Sequence, residues 1–104
     1  MTTKRIAAKP EVVVDSDAQE RIERRHFEAN MSRLYELITE MFPGTTEIRV
    51  LVREDPEEEN VERIVVELEN EMEFVEFMST QHKLIDILFL DGEAFPSFLT
   101  IIKW

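Results

Sequence analysis

The sequence contains no cysteine, which excludes disulfide bonds, thiolate catalysis and zinc ribbons built on cysteine pairs. Only two of its 104 residues are glycine, so it has neither a glycine-rich phosphate loop nor a nucleophile elbow. No apolar run approaches the roughly 20 residues that a membrane-spanning helix requires. The basic N-terminus is not followed by the apolar segment of a signal peptide. These absences favour a cytoplasmic protein, and the length favours one domain with one core.

Basic residues are also scarce, since 12 Lys and Arg stand against 23 Asp and Glu and the formal net charge is −11. The excess of acid lies in one part of the chain. Residues 1–35 hold seven bases and six acids, whereas the 23 positions from Glu54 to Glu76 hold eleven acids and one base, Arg63. A charge of this density attracts basic surfaces and repels phosphate. We therefore expect no direct contact between this region and nucleic acid, and no membrane contact.

The N-terminal third predicts a flexible tail followed by one long helix. Residues 1–17 form the tail, in which Val12-Val13-Val14 can add as a strand wherever a sheet edge is offered. A single domain then covers residues 18–104. Its first helix starts near Ala18 and runs to Met41 or Phe42, where Pro43-Gly44 stops it. The polar first turns of this helix are expected to project beyond the body of the domain.

Two segments alternate between apolar and polar residues with the period of a β-strand. They are residues 46–53 and 61–69, and a polar turn that contains Pro56 separates them. This pattern predicts an antiparallel hairpin. A register with Val52 opposite Ile64 also sets Arg49 beside Glu67, which is a favourable cross-strand pair.

The remaining sequence predicts a second helix and two further strands. Asn70 is expected to cap the helix. The apolar run Leu84–Leu90 suits a helix or a strand, and we favour a strand because Asp91-Gly92 follows it. The segment from Phe98 to Trp104 also has β character. The predicted fold is α+β, in the order α-β-β-α-β-β, with a long N-terminal helix and a second helix packed on a small antiparallel sheet.

No catalytic or metal site is predicted. Glu23 and His26 form one Glu-x-x-His motif, which carboxylate-bridged metal centres use in two copies, and no second copy exists. A solvent-facing helix with pairs such as Glu20 to Arg24 explains these residues better. Carboxylates are too numerous to single out an acid–base pair, so the sequence predicts no enzyme, no cofactor and no bound metal.

The acidic region instead predicts a surface that binds a basic protein partner. Its carboxylates fall on a predicted hairpin and helix start, where folded structure would hold their spacing. Contacts from the tail would supplement it. The expected partner-binding residues are Glu54, Asp55, Glu57, Glu58, Glu59, Glu62, Glu67, Glu69, Glu71 and Glu73, with tail contacts from Lys4, Arg5, Val12, Val13 and Val14.

Three alternatives stay open beside this reading. The carboxylates could imitate a phosphate backbone and block a DNA- or RNA-binding protein, or the chain could be a small enzyme, which ranks last. Separately, the apolar ending at Trp104 would support a homodimer or a partner groove if the last strand lies at a sheet edge.

From Leu34 to about Met78 the chain resembles short prokaryotic proteins of uncharacterised function. The shared features are a helix ending in Phe42-Pro43, the strand Ile48–Val52, the turn from Asp55 to Glu58, the strand Ile64–Leu68 and a following helix. Such proteins tend to be encoded beside HEPN-type or nucleotidyltransferase-type partners. The resemblance implies an antitoxin-like or inhibitor-like role, and residues 83–104 depart from it.

Overall fold

The computed structural model describes residues 10–54, 57 and 61–104. Its elements are β1 (Glu11–Val14), α1 (Ser16–Arg24), α2 (Glu28–Met41), β2 (Glu47–Glu54), β3 (Glu62–Glu69), α3 (Phe74–Leu90), α4 (Ala94–Ser97) and β4 (Leu99–Lys103). Helices packed with one sheet confirm the expected mixture of helix and strand. The predicted order α-β-β-α-β-β is wrong, because the observed order is β-α-α-β-β-α-α-β.

The four strands form one sheet in the order β1-β2-β3-β4. β2 and β3 are the predicted antiparallel hairpin in the predicted register, with Val52 opposite Ile64 and Arg49 opposite Glu67. The two outer pairs, β1 with β2 and β3 with β4, are parallel. A purely antiparallel sheet was therefore the wrong expectation, because helices rather than tight turns join each outer strand to its neighbour.

All four helices contribute to one core on a single face of the sheet. Val50 and Val66 of the hairpin are fully buried against residues such as Leu34 of α2 and Phe77 of α3. Both parallel connections thus pass over the same face, while the strands that they join point in opposite directions. It follows that the two crossovers have opposite hands. One of them is left-handed, whereas about 98% of such connections are right-handed.

The three valines of the expected tail form β1 within the chain. Val12 pairs with Ile48 and Val14 with Val50, and the backbone N–H of Asp15 donates to the carbonyl oxygen of Val50. The sheet edge that the valines require is β2 of the same molecule. α1 follows at once from Ser16, two residues before the predicted start, so ordered structure extends into the segment that was expected to be a flexible tail.

The predicted long helix is two helices, and the break is a Schellman motif. The N–H of His26 donates to the carbonyl oxygen of Glu23, and the N–H of Phe27 donates to that of Ile22. His26 has φ of 59°, the left-handed conformation that normally occupies this position. Phe27 and Ile22 are both buried, which is the apolar contact typical of the motif. α1 consequently packs on the sheet and does not project from the body of the domain.

The second half also differs from prediction in two places. Asn70 does not cap α3, because the helix begins only at Phe74 and Asn70 is buried in the turn before it. The run Leu84–Leu90 is helical rather than a strand, since Phe77, Leu84 and Leu88 continue one buried face along α3. Asp91-Gly92 therefore ends a helix. The last predicted strand is confirmed as β4.

Candidate functional site

The hairpin divides the acidic residues into two groups at opposite ends of the sheet. Glu54 and Glu62 pair at the turn end, and Glu47 and Glu69 pair at the other end. The seven residue steps of β3 separate these ends by about 23 Å. The described carboxylates between Glu54 and Glu76 consequently lie at separate places on the sheet.

At the turn end, few carboxylates have a described position. Glu54 and Glu57 are exposed, while Asp55, Glu58 and Glu59 lie outside the described residues. Glu62 is half-buried and bound to α1, because Arg21 donates from Nε and Nη2 to its two carboxylate oxygens at 2.6 and 2.9 Å. These hydrogen bonds lower the pKa of the Glu62 carboxyl and raise the pKa of Arg21. Glu62 therefore fastens α1 to the sheet.

Glu67 lies on the open face of the sheet, which the helices leave uncovered. It is half-buried opposite Arg49. The Arg49 guanidinium donates to Glu47 at 3.0 Å and stacks 4.0 Å from the centre of the Trp104 ring. The charge of this part of the sheet is thus partly balanced within the molecule.

The other group of carboxylates surrounds a groove. It has a volume of about 740 Å³, and its lining includes Pro43, Thr46, Glu69, Glu71, Met72 and Glu76. A second groove of about 550 Å³ adjoins it, shares Pro43, Met72 and Glu76, and adds Met41, Glu73 and Val75. We call the two together the acidic groove. Its lining combines four exposed glutamates, Glu69, Glu71, Glu73 and Glu76, with an apolar part that we call the floor, formed by Met41, Pro43 and Met72.

Two short connections shape the acidic groove. α2 ends at Met41, and the chain turns through Pro43 and Gly44, whose φ of 82° suits glycine. On the other side, residues 70–73 run from β3 to α3 without regular structure. Both connections join a strand of the hairpin to a helix, so the groove lies at the end of the hairpin opposite its turn.

Asn70 holds these connections together from a buried position. Its Nδ2 donates to Thr45 Oγ1 at 3.3 Å, and its Oδ1 accepts from the N–H of Met72 at 3.2 Å. Its backbone carbonyl accepts from Lys103 Nζ at 3.1 Å. Glu69 is held as well, because Thr46 Oγ1 donates to its carboxylate at 2.7 Å. The acidic groove therefore has a fixed floor and at least one fixed carboxylate.

The sequence identified three of the four carboxylates of the acidic groove, namely Glu69, Glu71 and Glu73. It missed Glu76 as a site residue, although Glu76 closes the acidic run. It also missed the apolar floor, because Met41 is 31 residues from Met72 in the sequence and only the fold brings them together. Of the expected tail contacts, Val12, Val13 and Val14 pair with β2, and Lys4 and Arg5 lie outside the described residues.

The described residues contain no group of three or more His, Cys, Asp or Glu side chains that could hold a metal ion. Glu23 accepts a hydrogen bond from Gln19 at 2.9 Å, and His26 is exposed at the helix break. Within the same described ranges, no helix is long and apolar enough to cross a membrane. Comparison of the chain with protein-family models, curated proteins and solved structures gives no match.

Proposed function

We propose that this protein is a non-catalytic interaction module that binds a basic segment of a partner protein in the acidic groove. The observation that supports this most directly is the convergence of Glu69, Glu71, Glu73 and Glu76 around an apolar floor. Of the residues that line the two adjoining grooves, Lys83 is the one base. The negative potential therefore lies over a concave surface that a chain segment can enter.

The combination of carboxylates and methionines suits lysine and arginine side chains. Their aliphatic stems pack on apolar surface while their charged ends stay in contact with water or with carboxylates. Met41 and Met72 offer flexible apolar surface that adapts to different stems. An Arg or Lys that lies across Met72 can reach the surrounding glutamates, and this arrangement favours a basic peptide segment over a single small cation.

The net charge of −11 supports the same function at longer range. Complementary charge increases the rate at which two proteins meet and disfavours acidic competitors. An antitoxin-like or inhibitor-like role, as the sequence resemblance implies, is one form of such binding. Mimicry of nucleic acid is less well supported, because the described carboxylates lie in two separate groups rather than in continuous rows.

A titration with a short Lys/Arg-rich probe peptide tests the acidic groove directly. We expect NMR shift changes at residues 69–76 and an affinity that falls steeply as salt is added. The variant Glu73→Lys/Glu76→Lys should lose most of this binding. The matched control is Glu28→Lys/Glu36→Lys, which alters the net charge equally and also reverses one glutamate in the first turn of a helix.

The natural partner can then be sought with the same pair of variants as bait. A true partner should be captured by the wild type and the control and be lost with the groove variant. Equal loss with both variants would show that net charge alone governs binding and would refute the proposal. Displacement of the partner by an oligonucleotide that the partner itself binds would favour mimicry instead.

A further inference from the structure

β4 is the last strand of the sheet, and among the described residues no strand lies beside the outer side of its backbone. The N–H of Trp104 donates to Leu68, and the carbonyl of Phe98 accepts from Ile64, so even-numbered residues direct their backbone groups toward β3. Because direction alternates along a strand, the N–H and C=O groups of Leu99, Ile101 and Lys103 point outward. Such a row is a template for pairing with another strand.

The two edges of the sheet differ in how they are protected. β1, the opposite edge, follows Pro10 and carries the charged Glu11. Proline and charged residues are the usual means of preventing edge pairing. β4 has neither a proline nor a carboxylate, and its one charge is Lys103 at the end of the strand. The β4 edge is thus the less protected of the two.

α3 presents an apolar stripe beside this edge. Phe74, Met78, Gln81, Ile85 and Phe89 recur at spacings of four, three, four and four, which places them on one helical face. Phe74 is 67% exposed and Phe89 43% exposed. A groove of about 520 Å³ separates the stripe from β4, with Phe74, Met78 and Gln81 on one side and residues 100–104 on the other. A smaller groove of about 320 Å³ shares Gln81 with it and includes Ile85.

Gln81 contains a polar atom that the described residues leave unsatisfied. Its Oε1 is buried and accepts no hydrogen bond from them. Burying a carbonyl oxygen without a donor costs free energy, so native structures almost always supply one. Gln81 lies in the middle of the stripe and lines the groove, but its Oε1 is buried within one copy, so a docked molecule can supply the donor only if this side chain rotates outward.

We propose that two copies of this chain form a two-fold dimer through β4 and the α3 stripe. Antiparallel pairing of β4 with its partner, centred on Ile101, sets Leu99 of each copy opposite Lys103 of the other. The sheets then join into one of eight strands. Its two outer edges are both β1, the edge that Pro10 and Glu11 protect.

The same two-fold axis brings the α3 stripes together. α3 runs antiparallel to β4, and Phe74 and Trp104 lie at the same end of the groove. Gln81 is seven residues along α3 from Phe74, and Ile101 is three residues along β4 from Trp104. Both distances are about 10 Å, so Gln81 lies level with Ile101. An axis at this level places Phe74 of one copy near Phe89 of the other and Met78 near Ile85. It also brings the two Gln81 side chains together, where outward rotation of each amide would let Nε2 of one donate to Oε1 of the other.

Charge and area both favour a second copy as the occupant. β4 contributes no carboxylate, and the axis places the two Lys103 side chains at opposite ends of the paired strands. Phe74 and Phe89 on the helix side of the sheet, together with Ile102 and Trp104 on its open face, expose on the order of 400 Å² of side chain per copy along this edge. That is about half of the roughly 800 Å² per partner in a standard interface, and the strand backbone and the half-buried part of the stripe add to it.

Sedimentation equilibrium of the full chain tests the dimer, with masses compared against the 12.3 kDa of one copy. We expect self-association over roughly 10 µM to 1 mM. Phe74→Asp should weaken it by about tenfold or more. Val75→Asp is the matched control, because Val75 is 78% exposed in the same helical turn and lies off the stripe. A second pair, Phe89→Glu against Leu90→Glu, tests the other end of α3.

Amide hydrogen exchange identifies the surface that is used. The outward N–H groups of Ile101 and Lys103 should become protected as concentration rises, and Phe74→Asp should remove that protection. A wild type that stays monomeric over the whole range would overturn the proposal. So would a dimer that Phe74→Asp and Val75→Asp affect equally, or one without protection at Ile101 and Lys103.

This inference does not rest on the proposed function, and salt separates the two. Each copy carries a net charge of −11, so screening should strengthen the dimer while it weakens binding of a basic segment. The groove variant Glu73→Lys/Glu76→Lys should still dimerise. Failure of one proposal therefore leaves the other testable in the same samples.

Discussion

Replacing His26 with glycine should stabilise the protein, and this substitution tests the helix break directly. His26 has φ of 59° and is exposed between α1 and α2. A residue with a Cβ pays about 1–2 kcal/mol for the left-handed conformation. Glycine adopts it freely but loses about 0.5–1 kcal/mol more backbone entropy on folding. We expect a net gain of about 0.5–1 kcal/mol in the free energy of unfolding.

The two hydrogen bonds of the Schellman motif come from backbone groups, so they should survive this substitution. No described hydrogen bond involves the imidazole of His26, so little contact energy is lost with it. At about 4–8 °C per kcal/mol for a domain of this size, the gain corresponds to a rise in Tm of roughly 2–8 °C. Urea unfolding followed by circular dichroism, together with calorimetry, measures both quantities.

Two further variants make the result decisive. His26→Ala keeps a Cβ at the strained position and should not stabilise the protein. Ser32→Gly places glycine at an exposed site within α2 and should cost roughly 0.5 kcal/mol. If residues 18–41 formed one continuous helix, His26→Gly would be destabilising by a similar amount to Ser32→Gly. That outcome would refute the two-helix arrangement.

Two other predictions concern side chains that join elements. Glu62 has a folded pKa below its unfolded value because Arg21 binds it, so its contribution is present at neutral pH and is lost as pH falls through the folded pKa. Glu62→Gln should therefore lower stability at neutral pH and make little difference at acidic pH. Urea unfolding at a series of pH values measures this. An equal loss of stability at neutral and acidic pH would contradict the ion pair. Asn70→Ala should cost about 1–3 kcal/mol, because it removes buried hydrogen bonds to Thr45 and Met72. Urea unfolding measures the loss. The control is Ser79→Ala, which removes an exposed polar side chain and should change stability little.

The hairpin was predictable because local pattern and tertiary role agree there. Alternation from Glu47 to Glu54 and from Glu62 to Glu69 defines the buried face of each strand, and one register satisfies both. The helix break was not predictable in the same way. Glycine usually occupies the left-handed position of a Schellman motif and so marks it in a sequence, whereas here His26 occupies that position. The apolar seam continues across the break, so periodicity gives no sign of it.

The strand order could not be predicted from the sequence for a different reason. Val12–Val14 had the right character for a strand, but its partner lies 36 residues further along the chain in β2. The general preference for right-handed crossovers would also have misled, because one of the two crossovers here is left-handed. Likewise, Leu84–Leu90 suits either structure when taken alone. Only the continuation of one buried face from Phe77 to Leu88 identifies it as helix.

The site was predictable in its charge but not in its shape. The carboxylates Glu69, Glu71 and Glu73 follow one another in the sequence, and their density is visible there. Their separation from Glu54 and Glu62 follows from the length of β3, and the apolar floor follows from the packing of α2 beside residues 70–73. Closeness in the sequence therefore suggested one continuous acidic surface and gave no indication of the groove.

α3 takes part in both proposed interactions through different faces. Glu76 lines the acidic groove, and Phe74 and Met78 line the groove beside β4, about half a helical turn around the axis. Neither occupant should therefore exclude the other. A two-fold dimer would carry two acidic grooves, and a partner with two basic segments that span them would gain avidity. Because salt strengthens the dimer but weakens each groove contact, such a complex should be tightest at intermediate salt, where enough dimer and enough attraction coexist. A monovalent probe peptide should instead bind best at the lowest salt.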